Sequence, residues 1–286
     1  MHMTRTPIAA LFLALALSAG ALAAVPLPQP SPAAAVMQEV GISKVKIHYH
    51  RPAVQGRKIW DGLVPYGKVW RLGANEATTL EIPHQATING NKVAAGKYSL
   101  FAIPKADSWT FIINKVPDQW GAFSYKQEQD LLRFDAKPEA APHREWLDID
   151  IVPLNDRTMR VDVAWEKLRV PFTIEFDVET IMWATIEAAL SNQKRTWEDY
   201  HNAARYAQRT NKRLEQALKW TDEAMQRTEN FWNYELKGLI LHQLGRDAEA
   251  IPMMQKARAL ALGKAPQEWI DGLDQRVAEW KKSGVR

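Results

Sequence analysis

Near residue 178 the hydrophobic period of this chain changes, and that change decides what the chain can fold into. Before it, apolar and polar residues alternate. Lys44 to His50 sets Val45, Ile47 and Tyr49 on one side and Lys44, Lys46, His48 and His50 on the other. A period of two is that of a half-buried strand. Asp148 to Ile151 and Arg160 to Val163 repeat it. Further strands are expected at Ala77–Ile82, Lys97–Ile103, Trp109–Asn114, Leu131–Lys137, Trp146–Val152, Met159–Trp165 and Val170–Val178. Turn signals at Asn89-Gly90, Ala95-Gly96, Pro104 to Ser108, Pro138 to Pro142 and Asn155-Asp156 separate them, and Asn-Gly is the strongest short hairpin marker. Many short strands with no helix between them imply an antiparallel β-sandwich or barrel.

After residue 178 the spacing is helical. Thr180 to Leu190 carries one apolar stripe, and from Thr196 to Trp280 helices alternate with short turns. Ala217 and Ala224 recur as Ala250 and Ala257, and Tyr200 and Ala204 recur as Tyr234 and Gly238, a period of about 33–34 residues. That length and the placing of small residues resemble a tetratricopeptide array. Two positions depart from it. Lys237 stands where leucine is usual, and Pro252 falls inside a helix that it is expected to kink or shorten. The expected fold is therefore two domains: an antiparallel β-sandwich over 33–178, then an all-α tetratricopeptide-like repeat over 179–286.

The first 24 residues read as a signal peptide. Arg5 is the basic start, Ile8 to Ala19 the apolar run and Ala21-Leu22-Ala23 the small-x-small cleavage pattern, and the run is too short to span a bilayer. Val25 to Pro32 is a proline-rich linker. The expected location is periplasmic or secreted, with no membrane span after cleavage. There is no cysteine, so disulfides, thiol catalysis and lipid attachment through cysteine are excluded. The net charge is +4 with basic and acidic residues interspersed. Nucleic-acid binding would want a concentrated basic stripe, so none is expected.

The densest stretch is Arg57 to Thr79, RKIWDGLVPYGKVWRLGANEATT. It is too irregular for a helix and too glycine-rich for a plain strand. Ordered loops of this kind are where binding groups tend to sit. With Arg51 it supplies a candidate ligand set: Arg51, Arg57, Lys68, Arg71, Asn75 and Glu76 as polar groups, with Trp60, Tyr66 and Trp70 as apolar walls. Guanidinium forks suit a carboxylate, a phosphate or sugar hydroxyls. The same residues suit a structural plug, with Arg on backbone carbonyls and Trp in the core. The orientation of Arg57 and Arg71 separates the two.

Taken together, Ser31-Pro32-Ala33, Arg51-Pro52, Gly56-Arg57, LVPYGKVWR (63–71), Gly73-Ala74-Asn75, Ala77-Thr78-Thr79, AGKYSL (95–100), Trp109-Thr110, Asn114-Lys115 and Trp120-Gly121 resemble the secreted bacterial family known as domain of unknown function 2911. The resemblance covers about residues 31–178. It implies the β domain, and a helical-repeat extension after it is a familiar arrangement in that family. His50 stands where a small hydroxyl residue is more usual. The family carries no agreed activity, so the resemblance implies little chemistry.

Other chemistry is thin. His48 and His50 share a strand face and are a weak metal candidate that needs a third ligand; His84 and His143 are the available histidines. Lys44 and Lys46 lie on the same face and oppose a cation. Ser99 has no flanking nucleophile signature. Asp148/Asp150 and Glu175/Asp177 read as solvated alternating acids. No phosphate loop or dinucleotide fingerprint is present, so no cofactor and no catalytic residue is assigned. Three readings stay open. One is a non-enzymatic binding or scaffolding protein, with a small polar ligand or glycan on the β domain and a protein or peptide on the repeats. The second is a cell-envelope hydrolase acting through the Arg57–Thr79 loop. The third is a purely structural loop.

Overall fold

The computed structural model describes residues 27–283. The signal peptide expected over 1–24 lies outside them. Ten β-strands are followed by six α-helices. The strands are β1 (Ala33–Val40), β2 (Ser43–His50), β3 (Thr78–Ile82), β4 (Ala86–Ile88), β5 (Asn91–Val93), β6 (Gly96–Pro104), β7 (Trp109–Asn114), β8 (Asp130–Ala136), β9 (Glu139–Pro153) and β10 (Thr158–Glu175). They form a six-stranded sheet ordered β1-β2-β3-β6-β7-β8 and a four-stranded sheet ordered β5-β4-β10-β9. All the strand pairings are antiparallel. The sheets face each other across a core that includes Val45, Ile47, Leu80, Leu100, Phe111, Val161, Phe172 and Ile174, the inward residues of each alternation. The expected sandwich is the observed one.

Local chemistry explains the details. Asn89 and Gly90 both take positive φ, +45° and +85°, which a two-residue hairpin between β4 and β5 demands. The two strands expected at 159–165 and 170–178 are one strand, β10. Its register shifts on both sides of Glu166, and Glu166 sits at φ +56°. The polar break in the pattern is a bulge within one strand. The turn expected over 138–142 is shorter for the same reason. Pro142 lies in β9, an edge strand where a missing donor is tolerated, alongside the bulge.

Strands β6 and β7 read as apolar on both faces because both faces are covered. On the outer side Ala77, Phe101 and Ile112 form a second small core with Val69, Ile103, Ala122 and Tyr125. The long loops at 51–77 and 115–126 supply that cover.

The helices are α1 (Val178–Ser191), α2 (Trp197–Thr210), α3 (Leu214–Arg227), α4 (Phe231–Gln243), α5 (Asp247–Ala261) and α6 (Gln267–Ser283). Asp177 accepts from the Thr180 amide at 3.1 Å and caps α1. Val178 and Ile181 pack on the sandwich core, while Trp183 and Ile186 belong to the helical core, so α1 joins the two halves. The α2–α3 pair recurs as α4–α5. Buried Ala203, Ala204, Ala217, Ala224, Ala250 and Ala257 bring the helices close. A Cβ on Gly238 would meet the Met254 sulfur at 2.8 Å. Pro252 does not shorten α5, which runs unbroken through it. It is exposed, so the carbonyl it leaves without a donor can be hydrated. No helix among the described residues is long and apolar enough to cross a membrane.

Candidate functional site

The outer face of the six-stranded sheet carries one cavity, and the Arg57–Thr79 loop carries another, smaller one. Lys46, His48 and His50 alternate outward on β2. Register sets Lys46 beside Glu81 and Glu81 beside Lys97, and sets His48 beside Thr79. The 115–126 loop returns over this face and is anchored by buried polar side chains. Asn114 is fully buried; its Nδ2 donates to the Asp130 carboxylate at 3.0 Å, and its Oδ1 accepts from the Val116 amide and Gln119 Nε2, both at 3.1 Å. Ser99 Oγ donates to the Val116 carbonyl at 2.6 Å. With its hydroxyl so engaged and no solvent access, Ser99 is an anchor rather than a nucleophile. Two backbone bonds then close the loop against the first one: Ala77 to the Gln119 carbonyl at 2.9 Å and Gly121 to the Asn75 carbonyl at 3.0 Å.

The result is a cleft of about 650 Å³. Its floor is Lys46, His48, His50, Thr79, Glu81 and Lys97, and its wall is Glu76, Asp118, Gln119 and Trp120. Trp120 is 61% exposed. Lys97 lies 3.7 Å from Asp118. His50 is buried; its Nδ1 lies 3.3 Å from the Glu76 carboxylate but outside hydrogen-bonding geometry, and makes no hydrogen bond. Burial lowers the His50 pKa below the ordinary imidazole value; Glu76 opposes this, and His48 and Arg71 add to it. The ring is therefore neutral at neutral pH.

The second cavity, about 360 Å³, lies where the Arg57–Thr79 loop meets the sandwich. Arg57, Leu63, Val64, Trp70, Arg71 and Gly73-Ala74-Asn75 line it, with Ser31, Gln55, Pro52 and Trp165. Gly73 is required where it stands: a Cβ there would come 2.8 Å from the His50 carbonyl oxygen. Asn75 sits at φ +55°, a conformation asparagine tolerates better than most, and its Nδ2 donates to the Ser31 carbonyl at 3.3 Å.

The structure divides the nine loop residues singled out from sequence. Arg51 Nε donates to the Leu147 carbonyl at 2.8 Å and its NH2 lies 3.2 Å from Asp148, tying the loop to β9. Arg57 donates to the carbonyls of Val54 and Ala53. Trp60 and Trp70 join Trp109 and Trp165 in a ring cluster with centroids 4.9 to 6.0 Å apart. Trp70 also edges the smaller cavity and bonds the Gly73 carbonyl at 3.2 Å. Tyr66 and Lys68 line neither cavity. Arg57, Arg71 and Asn75 meet at the smaller cavity, and Glu76 faces the larger. Lys46, Glu81, Lys97, Asp118 and Trp120 were not singled out. His84 is bonded to Ser43 at 3.0 Å and His143 lies 3.4 Å from Glu145, so neither joins His48 and His50. Among the described residues no group of three His, Asp or Glu side chains is placed to hold a metal. Asp148 pairs with Arg51 and Arg144.

The family model described as "Protein of unknown function (DUF2911)" matches residues 31–174. The chain belongs to this family. The matched DUF2911 segment holds every residue lining either cavity except Pro30, and it ends before α1. No curated protein and no solved structure matches the chain.

Proposed function

We propose that this is an exported, non-enzymatic binding protein whose β domain holds a neutral, hydroxyl-rich ligand, a glycan unit, in the larger cleft. Trp120 carries the reading. It is 61% exposed in the wall of the cleft, and a large indole face left open beside polar groups is an apolar platform with no ring partner among the described residues. Below it are ammonium donors at Lys46 and Lys97, carboxylate acceptors at Glu76, Glu81 and Asp118, and the imidazoles of His48 and His50. Opposite charges mixed in this way do not select an ion. They offer donors and acceptors to hydroxyls, while the indole takes the C–H face of a sugar ring.

Calorimetric titration with oligosaccharides of the bacterial envelope tests it. Binding is expected, and Trp120→Ala should weaken it roughly tenfold or more with unchanged melting, since so exposed a ring contributes little to the core. Equal binding by the variant, or none by the wild type, overturns the proposal. A hydrolase is the rival reading, resting on the 3.3 Å approach of His50 to Glu76; release of shorter glycan products in the same mixtures would decide for it.

We read α2 to α5 as two tetratricopeptide-like repeats that seat a protein or peptide. The recurrence of the helix pair and its small buried residues support this, as does a polar cluster shared by α2, α4 and α6. There His201 bonds Asn233 at 2.8 Å, and Glu235 lies 3.0 Å from Arg276 and 3.7 Å from Arg205. Export is read from the first 24 residues, and N-terminal sequencing of the mature protein should begin at Ala24 or Val25.

A further inference from the structure

We propose that the smaller cavity is a second, separate binding site, for a small organic carboxylate, with Arg71 as its counter-ion. The starting observation is a guanidinium without a partner. Arg71 is half-buried, and its Nε is shut off from solvent and makes no hydrogen bond. Among the described residues it has no ion pair. Desolvation with nothing to offset it lowers its pKa. A charge held this way costs stability, and a ligand oxygen placed beside it would remove that cost.

The surroundings fit an anion with an apolar body. The lining contains two arginines and no Asp or Glu. Arg57 is held in place by the Val54 and Ala53 carbonyls, so the second positive charge is fixed rather than mobile. Trp70, Trp165, Leu63, Val64 and Pro52 supply the apolar walls. About 360 Å³ is at the small end of ligand pockets. A bare inorganic anion would satisfy Arg71 and leave the tryptophan walls unfilled; a carboxylate on a short apolar or aromatic stem fills both. A free acid and the C-terminal residue of a peptide share this chemistry.

The site does not depend on the glycan reading, and the tests separate them. The full mature chain is titrated with 3-phenylpropionate, indole-3-acetate and 4-methylvalerate, with their neutral amides, with a short peptide ending in phenylalanine and its C-terminal amide, and with inorganic phosphate. At least one carboxylate should bind while its amide does not. Binding only by the peptide acid assigns the site to chain ends; binding by the free acids assigns it to small molecules. Arg71→Met should weaken binding roughly ten- to a hundredfold and leave the melting temperature of the ligand-free protein unchanged or higher, because an unpaired charge is gone. Trp120→Ala should bind the carboxylate normally. Bound carboxylate should also raise the His50 pKa in an NMR titration, since it neutralises the Arg71 charge that acts on that ring, and Arg71→Met should abolish the effect. The proposal is overturned if no carboxylate gives an Arg71-dependent response. Phosphate matching the carboxylates, or a clear loss of melting temperature in ligand-free Arg71→Met, overturns it as well.

Discussion

The larger cleft and the smaller cavity adjoin where Gly73 meets the His50 backbone, and they differ in charge. The larger sets two lysines against three carboxylates and two imidazoles; the smaller has two arginines and no acid. Asn75 and Glu76 are neighbours in the chain and line different cavities. The left-handed turn at Asn75 helps to send them apart. One dense stretch of sequence thus lines two cavities of different charge, a mixed one and a cationic one.

The wall between the cavities is the place to break this comparison. Gly73→Ala would press a methyl group to 2.8 Å from the His50 carbonyl oxygen, and backbone cannot yield as a side chain can. Overpacking of this kind costs about 1–3 kcal/mol, so denaturant unfolding should show a loss in that range. Ligand binding should weaken on both sides at once, which no substitution confined to one cavity should do. Arg57→Ala comes next. It removes two hydrogen bonds to the Val54 and Ala53 carbonyls and should cost about 1–2 kcal/mol in the same measurement. Arg71→Met should cost nothing. If both substitutions destabilise equally, the division of the loop into an anchoring arginine and a binding arginine fails.

Much of the fold was legible because it rests on periods and turn chemistry that neighbouring residues carry. The alternation of Lys44 to His50, the Asn89-Gly90 hairpin and the recurrence of Tyr200 and Ala204 as Tyr234 and Gly238 each needed only local sequence. The polar break at Glu166 divides β10 into two strands in the sequence pattern, because a bulge interrupts the alternation without ending the pairing. The site was legible only in part. Lys46, Glu81 and Lys97 are brought together by cross-strand register, and Trp120 reaches them only because Ser99 and Asn114 anchor its loop; no local pattern carries either fact. Trp60 has the composition of a pocket wall, yet it lines neither cavity and packs with Trp109, whereas Trp70 packs in the same cluster and also edges the smaller cavity. Arg57 is exposed and reaches the Ala53 and Val54 carbonyls, while Arg71 is half-buried and its Nε reaches none, a difference set by the path of the backbone. The reading of the helical half as a seat for a partner rests on the repeat and on the polar cluster of His201, Asn233, Glu235 and Arg276.

The finest distinction between the cavities lies at His50, which lines the larger and feels the charge of the smaller. Burial lowers its pKa in the folded chain, with Arg71 and His48 adding to the shift and Glu76 opposing it. The unfolded chain, whose imidazole keeps its ordinary pKa of about 6.5, therefore takes up a proton at a higher pH than the folded chain does. Stability from the neutral ring is present above that pH and is lost as pH falls through it toward the folded pKa. His201 in α2 is shifted in the same direction, by burial first and against its hydrogen bond to Asn233. Melting temperature followed from about pH 7 down to about pH 5 should fall, and His50→Gln and His201→Gln should each make that fall shallower. The two differ in their response to Arg71. Arg71→Met removes a repelling charge beside His50 only, so it should weaken the His50 part of the acid dependence and leave the His201 part intact. A pH profile for Arg71→Met parallel to the wild type would show that the two cavities are electrostatically independent.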